Sequence, residues 1–142
     1  MSLRNRLLQL ALLVLSLAIG IQAEAKCSNA ILRGPYSLHA TGTVIGVGDF
    51  AAVGRFTFDG NGNLTGKVFA RVAGNNVEPP EFTGTYSVGS DCIVTDTWGP
   101  PINSTHVSMI VDGGRGYVIL NNTSGSGDTI SGEARKQGVS RQ

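Results

Sequence analysis

The sequence predicts an all-β domain over residues 26–142, most simply an eight-stranded antiparallel up-and-down β-barrel. Three observations point there. Beyond Lys26 no stretch repeats its apolar residues at helical spacing, whereas short segments alternate apolar and polar side chains. Clusters of Gly, Asn, Asp and Pro recur about every ten residues, the spacing of turns in a sandwich or barrel. All connections but one are short, so consecutive strands should pair antiparallel as a meander. A closed barrel of this size has an interior that side chains just fill, or that holds one small ligand. Closure also removes the edges that a Thr- and Val-rich sheet would otherwise expose. The alternative is a two-sheet β-sandwich, which the lack of a long Greek-key crossover disfavours.

The elements follow in order. The first strand, Pro35 to Gly42, places Tyr36, Leu38 and Ala40 on one face, the period-two pattern of a strand with one buried side. The second, Ala51 to Phe58, has Phe56 and Phe58 on one face and Arg55 and Thr57 on the other. Asp59-Gly60-Asn61-Gly62 makes a tight hairpin into the third, Asn63 to Val72, because these residue types accept the positive φ such turns need. Gly74-Asn75-Asn76 turns the chain again, and the fourth, Phe82 to Val88, alternates Phe82, Gly84, Tyr86 and Val88 against Thr and Ser. The fifth, Cys92 to Trp98, stops at Gly99-Pro100-Pro101, since proline cannot donate to a ladder. The sixth is Thr105 to Val111, and Asp112-Gly113-Gly114 turns it into the seventh, Gly116 to Asn121. A loop over Asn122 to Gly127 leads to the eighth, Thr129 to Lys136. Gly66, Gly84 and Gly132 fall in the apolar register, where a small barrel coils sharply and packs closely.

Residues 1–25 carry the pattern of a cleavable signal peptide. Arg4 and Arg6 form a positive start, Leu7 to Ile21 is nearly all apolar, and Ala23 and Ala25 stand at −3 and −1 of a cut before Lys26. The apolar run of roughly 15 residues is shorter than the ~20 that a membrane-spanning helix needs. The expected product is exported, periplasmic or secreted, with no stable membrane insertion after cleavage. Taking Arg4, Arg6 and Glu24 from the chain's 11 basic and 10 acidic residues leaves a neutral domain, which argues against electrostatic capture of nucleic acid. Two cysteines remain, Cys27 and Cys92. In an oxidising compartment they most simply form one disulfide, and they lack the C-x-x-C spacing of a redox pair.

The segments Ala51 to Gly66, Phe82 to Val88 with Asp91-Cys92 behind it, and Gly34-Pro35-Tyr36 resemble recurring stretches of small secreted bacterial proteins, mostly uncharacterised. In outline these are similar to the calycin-like barrels of allene oxide cyclase and dirigent proteins. The resemblance implies the barrel and the Cys27–Cys92 bridge. Its motifs are turns and packing positions, so it implies no substrate, and no catalytic residue of the cyclase matches a position here.

Few residues carry candidate chemistry. Asp59-Gly60-Asn61-Gly62-Asn63 opens like a calcium loop, but the positions that need Gly and a bidentate acid hold Leu64 and Ala70. No metal site or cofactor is therefore expected. His39 falls opposite Tyr36 and Leu38 and should face solvent, while His106 fits either face of its strand. There is no G-x-S-x-G elbow and no free cysteine once the disulfide forms. Asp96 is the most informative acid. With Val94 and Trp98 inward it would be a carboxylate in an apolar barrel and a candidate acid or base. With Ile93, Thr95 and Thr97 inward it would be solvated, the favoured register because charged side chains are seldom fully buried. Glu78 and Glu81 bracket Pro79-Pro80 and read as solvated loop charge. Asn63, Asn103, Asn121 and Asn122 open N-x-Ser/Thr sequons, which matter only in a host that glycosylates.

Three functional classes follow. A binding module would hold a small apolar ligand in the barrel through Phe56, Phe58, Tyr86 and Trp98. A structural or surface-interaction protein would have a filled barrel and act through its loops. A cyclase- or isomerase-type enzyme would use the same pocket with Asp96 or Tyr36 as its acid–base group. A cavity of about 300 Å³ or more would favour the first and third. The abundance of Gly and Thr argues against a capacious, aromatic-lined one.

Overall fold

A computed structural model describes residues 26–138; the expected signal peptide, residues 1–25, lies outside them. Nine strands form: β1 (Gly34–Val44), β2 (Gly48–Phe58), β3 (Asn63–Val72), β4 (Asn75–Val77), β5 (Phe82–Val88), β6 (Ile93–Trp98), β7 (Ser104–Val111), β8 (Gly116–Asn121) and β9 (Thr129–Lys136). Every pairing is antiparallel, and β1 bonds both β2 and β9, so eight strands close an up-and-down barrel. β4 stands outside that ring as a three-residue hairpin arm on β3.

All eight expected strands are present, with two differences. β1 and β2 run on to Val44 and back to Gly48, turning at Ile45–Val47, where the Val47 amide donates to the Val44 carbonyl at 3.1 Å. β4 was expected as part of a turn. Its three residues are all exposed and pair with β3, so no buried face marks it as a strand.

The interior is built in layers fixed by register. Near the end where β1 begins, Tyr36, Phe58, Tyr86 and Tyr117 meet edge-on or tilted, with centroids 4.9–5.8 Å apart. Above them Phe56 packs on Phe82 at 5.9 Å and on Trp98 at 4.8 Å. Gly66 makes this possible: a Cβ there would lie 2.6 Å from Phe82 Cζ and 2.8 Å from Phe56 Cε1. Aromatic contacts of this kind contribute beyond the area they bury, about 0.5–1.5 kcal/mol each.

The N-terminal segment seals this aromatic end. The 3-10 turn Asn29–Leu32 buries Leu32 in the core. The Asn29 carbonyl accepts the Tyr86 hydroxyl at 3.0 Å, and its side-chain oxygen accepts the Val88 amide at 2.8 Å. Cys27 is bonded to Cys92, with Cα atoms 5.1 Å apart, so the segment is held covalently to the start of β6.

Candidate functional site

The opposite end of the barrel is not filled, and the register explains why. Reading across hydrogen-bonded partners, Ile119, Gly132, Ala40, Ala52 and Ala70 form one inward row from β8 through β9, β1 and β2 to β3, and the exposed Val77 on β4 continues it beyond the ring. Small side chains on one wall cannot reach the bulky Trp98 and His106 on the other. What remains is a cavity of about 170 Å³. Its base is formed by Leu38, Ala40, Ala52, Val68, Trp98 and Ile119, all buried, and by His106. Half-exposed side chains such as Phe50, Ile102 and Ile130 form the rim, so the cavity opens at the barrel mouth.

The cavity is smaller than the 300 Å³ expected of a pocket, and it is lined differently. Of the four aromatics anticipated there, Trp98 lines it, whereas Phe58 and Tyr86 pack on each other in the filled half and Phe56 packs on Phe82 and Trp98. Large rings placed toward the sealed end fill it, and the ligand-sized space arises where the chain uses alanine and glycine.

Asp96 points inward. The favoured expectation of a solvated carboxylate is corrected: Val94, Asp96 and Trp98 are buried, while Ile93, Thr95 and Thr97 are exposed. The compensation comes from the next strand. Asp96 is the cross-strand partner of His106, which also turns inward, and His106 Nδ1 lies 2.9 Å from Asp96 Oδ1. Both side chains are buried, at 5% and 7% exposure. An ionised Asp96 accepts from Nδ1–H, which leaves Nε2 as the second ring nitrogen. Trp98 covers the imidazole with centroids 4.0 Å apart. Ser104 and Ser108, flanking His106 in the same register, carry buried hydroxyls without a hydrogen-bond partner among the described residues. The polarity of the interior is thus concentrated on β6 and β7.

A sequence signal for this pair existed. The loop Gly99–Asn103 closes β6 onto β7 with Trp98 opposite Ser104, and counting inward from that closure sets Asp96 against His106. Treating each strand by itself discards that information.

The remaining candidates lie elsewhere. Tyr36 is fully buried at the sealed end and donates its hydroxyl to the Gly114 carbonyl. Burial, then the neighbouring Tyr86, pushes its pKa up to about 12, so the phenol stays protonated and does not line the cavity. Burial also raises the Tyr117 hydroxyl well above its ordinary value, with the Asp96 charge adding to the effect. His39 is exposed on the outer face of β1. Asp59 is occupied by its own hairpin, accepting the amides of Asn61 and Asn63 and the Asn63 side chain at 2.7–3.0 Å. These bonds hold its pKa down at about 2. Glu78 is exposed and bound to Lys67 at 3.0 Å, and Glu81 is exposed. Among the described residues, no three His, Cys, Asp or Glu side chains gather as a metal site. No helix there is long and apolar enough to cross a membrane.

No protein-family model and no curated protein matches the chain. Among solved structures it is similar to a redesigned β-barrel, with 15% sequence identity, a TM-score of 0.51, and coverage of 82% of this chain and 100% of that one. At that identity the likeness is one of fold.

Proposed function

We propose that this chain is an exported β-barrel protein that holds a small, largely apolar ligand in the cavity at its mouth. The observation that carries the proposal is the cavity itself, about 170 Å³ and walled by apolar side chains apart from His106 and two rim residues, Asn121 and Ser131. A barrel under selection only for stability would fill that space. By the cost of large-to-small core substitutions, leaving it open forgoes up to about 4 kcal/mol. Apolar cavities of about 150 Å³ accept a benzene-sized molecule, which sets the scale of the ligand. Export is supported by the signal-peptide pattern of residues 1–25, and a Cys27–Cys92 disulfide is compatible with an oxidising compartment.

Titration with toluene, followed through the methyl signals of Leu38, Val68 and Ile119, tests the reading. Those signals should shift saturably, and Ala52→Leu, which fills the cavity from β2, should abolish the shifts while leaving the fold intact. Unmoved methyls at saturating toluene would instead favour a filled barrel acting through its loops. The Asp96–His106 contact supports a second reading, an acid–base enzyme of the cyclase or isomerase kind using the same cavity.

A further inference from the structure

We infer that the Asp96–His106 pair is the polar anchor of this cavity and that it selects a small ring-bearing hydroxyl compound, in chemical class a phenol. The inference rests on the ligand-binding reading above and says what kind of molecule fits.

Four observations lead to it. First, the lining is apolar except at His106 and at Asn121 and Ser131 on the rim, so a ligand seated at the base meets one polar side chain. Second, that side chain is oriented. Asp96 holds Nδ1 at 2.9 Å and Trp98 lies against the ring, which together fix the imidazole plane and leave Nε2 as the nitrogen without a partner among the described residues. A carboxylate behind an imidazole is the usual means of fixing tautomer and direction. Third, stability does not account for the pair. Buried ion-pairing groups commonly do no better than well-packed hydrophobic residues of the same volume, and β7 adds two buried hydroxyls beside the histidine, Ser104 and Ser108, that have no partner among the described residues. Polar groups so placed in a small core call for a specific role. Fourth, size limits the ligand to one ring with little attached.

The hydroxyl follows from the chemistry of Nε2. Bare, this nitrogen accepts a hydrogen bond; protonated, it donates one. A hydroxyl does both and so pairs with the ring in either state, whereas an ether or carbonyl only accepts. An apolar ligand of the same shape would desolvate Nε2 and give nothing back. Sites built to bond a hydroxyl reject the analogue that lacks it for that reason.

Phenol and toluene have the same shape and differ at one group, so the comparison is direct. With the purified, disulfide-bonded protein, calorimetric titration should give a dissociation constant at least about tenfold lower for phenol than for toluene. The ¹⁵N signal of His106 Nε2 should move toward its hydrogen-bonded position on adding phenol and not on adding toluene. In Asp96→Val/His106→Leu, where both polar partners are replaced, the order should reverse. If that variant does not fold, the Nε2 signal of the natural protein decides. Toluene binding as tightly as phenol, with Nε2 unmoved by phenol, would overturn the anchor while leaving the cavity reading standing. Benzoate binding more tightly than phenol would overturn the hydroxyl class in favour of an anion. Binding of none of the three would overturn the cavity reading and the anchor together.

Discussion

Asp96 shows what a single side chain can and cannot disclose. In Ile93–Trp98 either alternate set is apolar enough to face a core, so the general scarcity of buried carboxylates favours the solvated register. That generalisation assumes an unpaired charge. His106 supplies the partner, and the two sit side by side only because β6 and β7 close at Gly99–Asn103. The pair also makes a prediction. Asp96→Ala leaves the imidazole buried without its acceptor and should lower stability by about 3 kcal/mol, whereas Asp96→Val/His106→Leu, which removes both partners, should cost markedly less. Urea unfolding of the two variants compares them. A single variant no less stable than the double would show that the groups are not coupled. The cavity-lining alanines were legible as small residues in strand registers, but nothing in one strand shows that Ala40, Ala52 and Ala70 line up across three.

At the scale of elements, the strands that sequence reveals are those with one buried face and a strong turn at each end. Asn63–Val72, preceded by Asp59-Gly60-Asn61-Gly62, is such a case, and its hairpin forms through Asp59 as the turn chemistry requires. The ends of β1 and β2 extend past the apolar alternation toward the mouth, where inward residues are only half-buried and the pattern fades. The short 3-10 turn Asn29–Leu32 has no periodicity to announce it, and its place in the fold is set by distant contacts, Leu32 in the core and Asn29 on β5. The Cys27–Cys92 bond holds that cap across a sequence separation of 65 residues. For a loop of that size the chain-entropy model gives about 4 kcal/mol of stabilisation. Cys27→Ser/Cys92→Ser should therefore unfold at lower urea than the natural protein, with the loss greatest in hydrogen-exchange protection of Asn29–Leu32. An unchanged midpoint would mean that the hydrogen bonds of Asn29 and the burial of Leu32 hold the cap alone.

For the whole molecule, barrel closure is the organising event, and it depends on β1 meeting β9 along eight residue pairs from Thr43–Thr129 to Tyr36–Lys136. The two strands approach closely at Gly132, where a Cβ would collide with the His39 carbonyl oxygen and lie 2.7 Å from Ala40 Cα. Gly132→Val should cost about 3 kcal/mol, and amide exchange should rise first on β1 and β9. Exchange that rose evenly over all strands would argue against a weak seam. The closed topology was legible from eight alternating segments with short links, because a meander of that size has one natural way to hide its edges. The empty mouth was not, since it depends on volumes summed across strands. The seam also has a consequence in time. β1 is synthesised before every other strand of the barrel and β9 after them, yet each is the other's neighbour. Until residues 129–136 have emerged, β1 lacks one of its two flanks and the growing polypeptide is an open ribbon. Under the export proposed above, a translocation channel that takes up the chain as it emerges would thus receive a thread with no finished barrel to unravel.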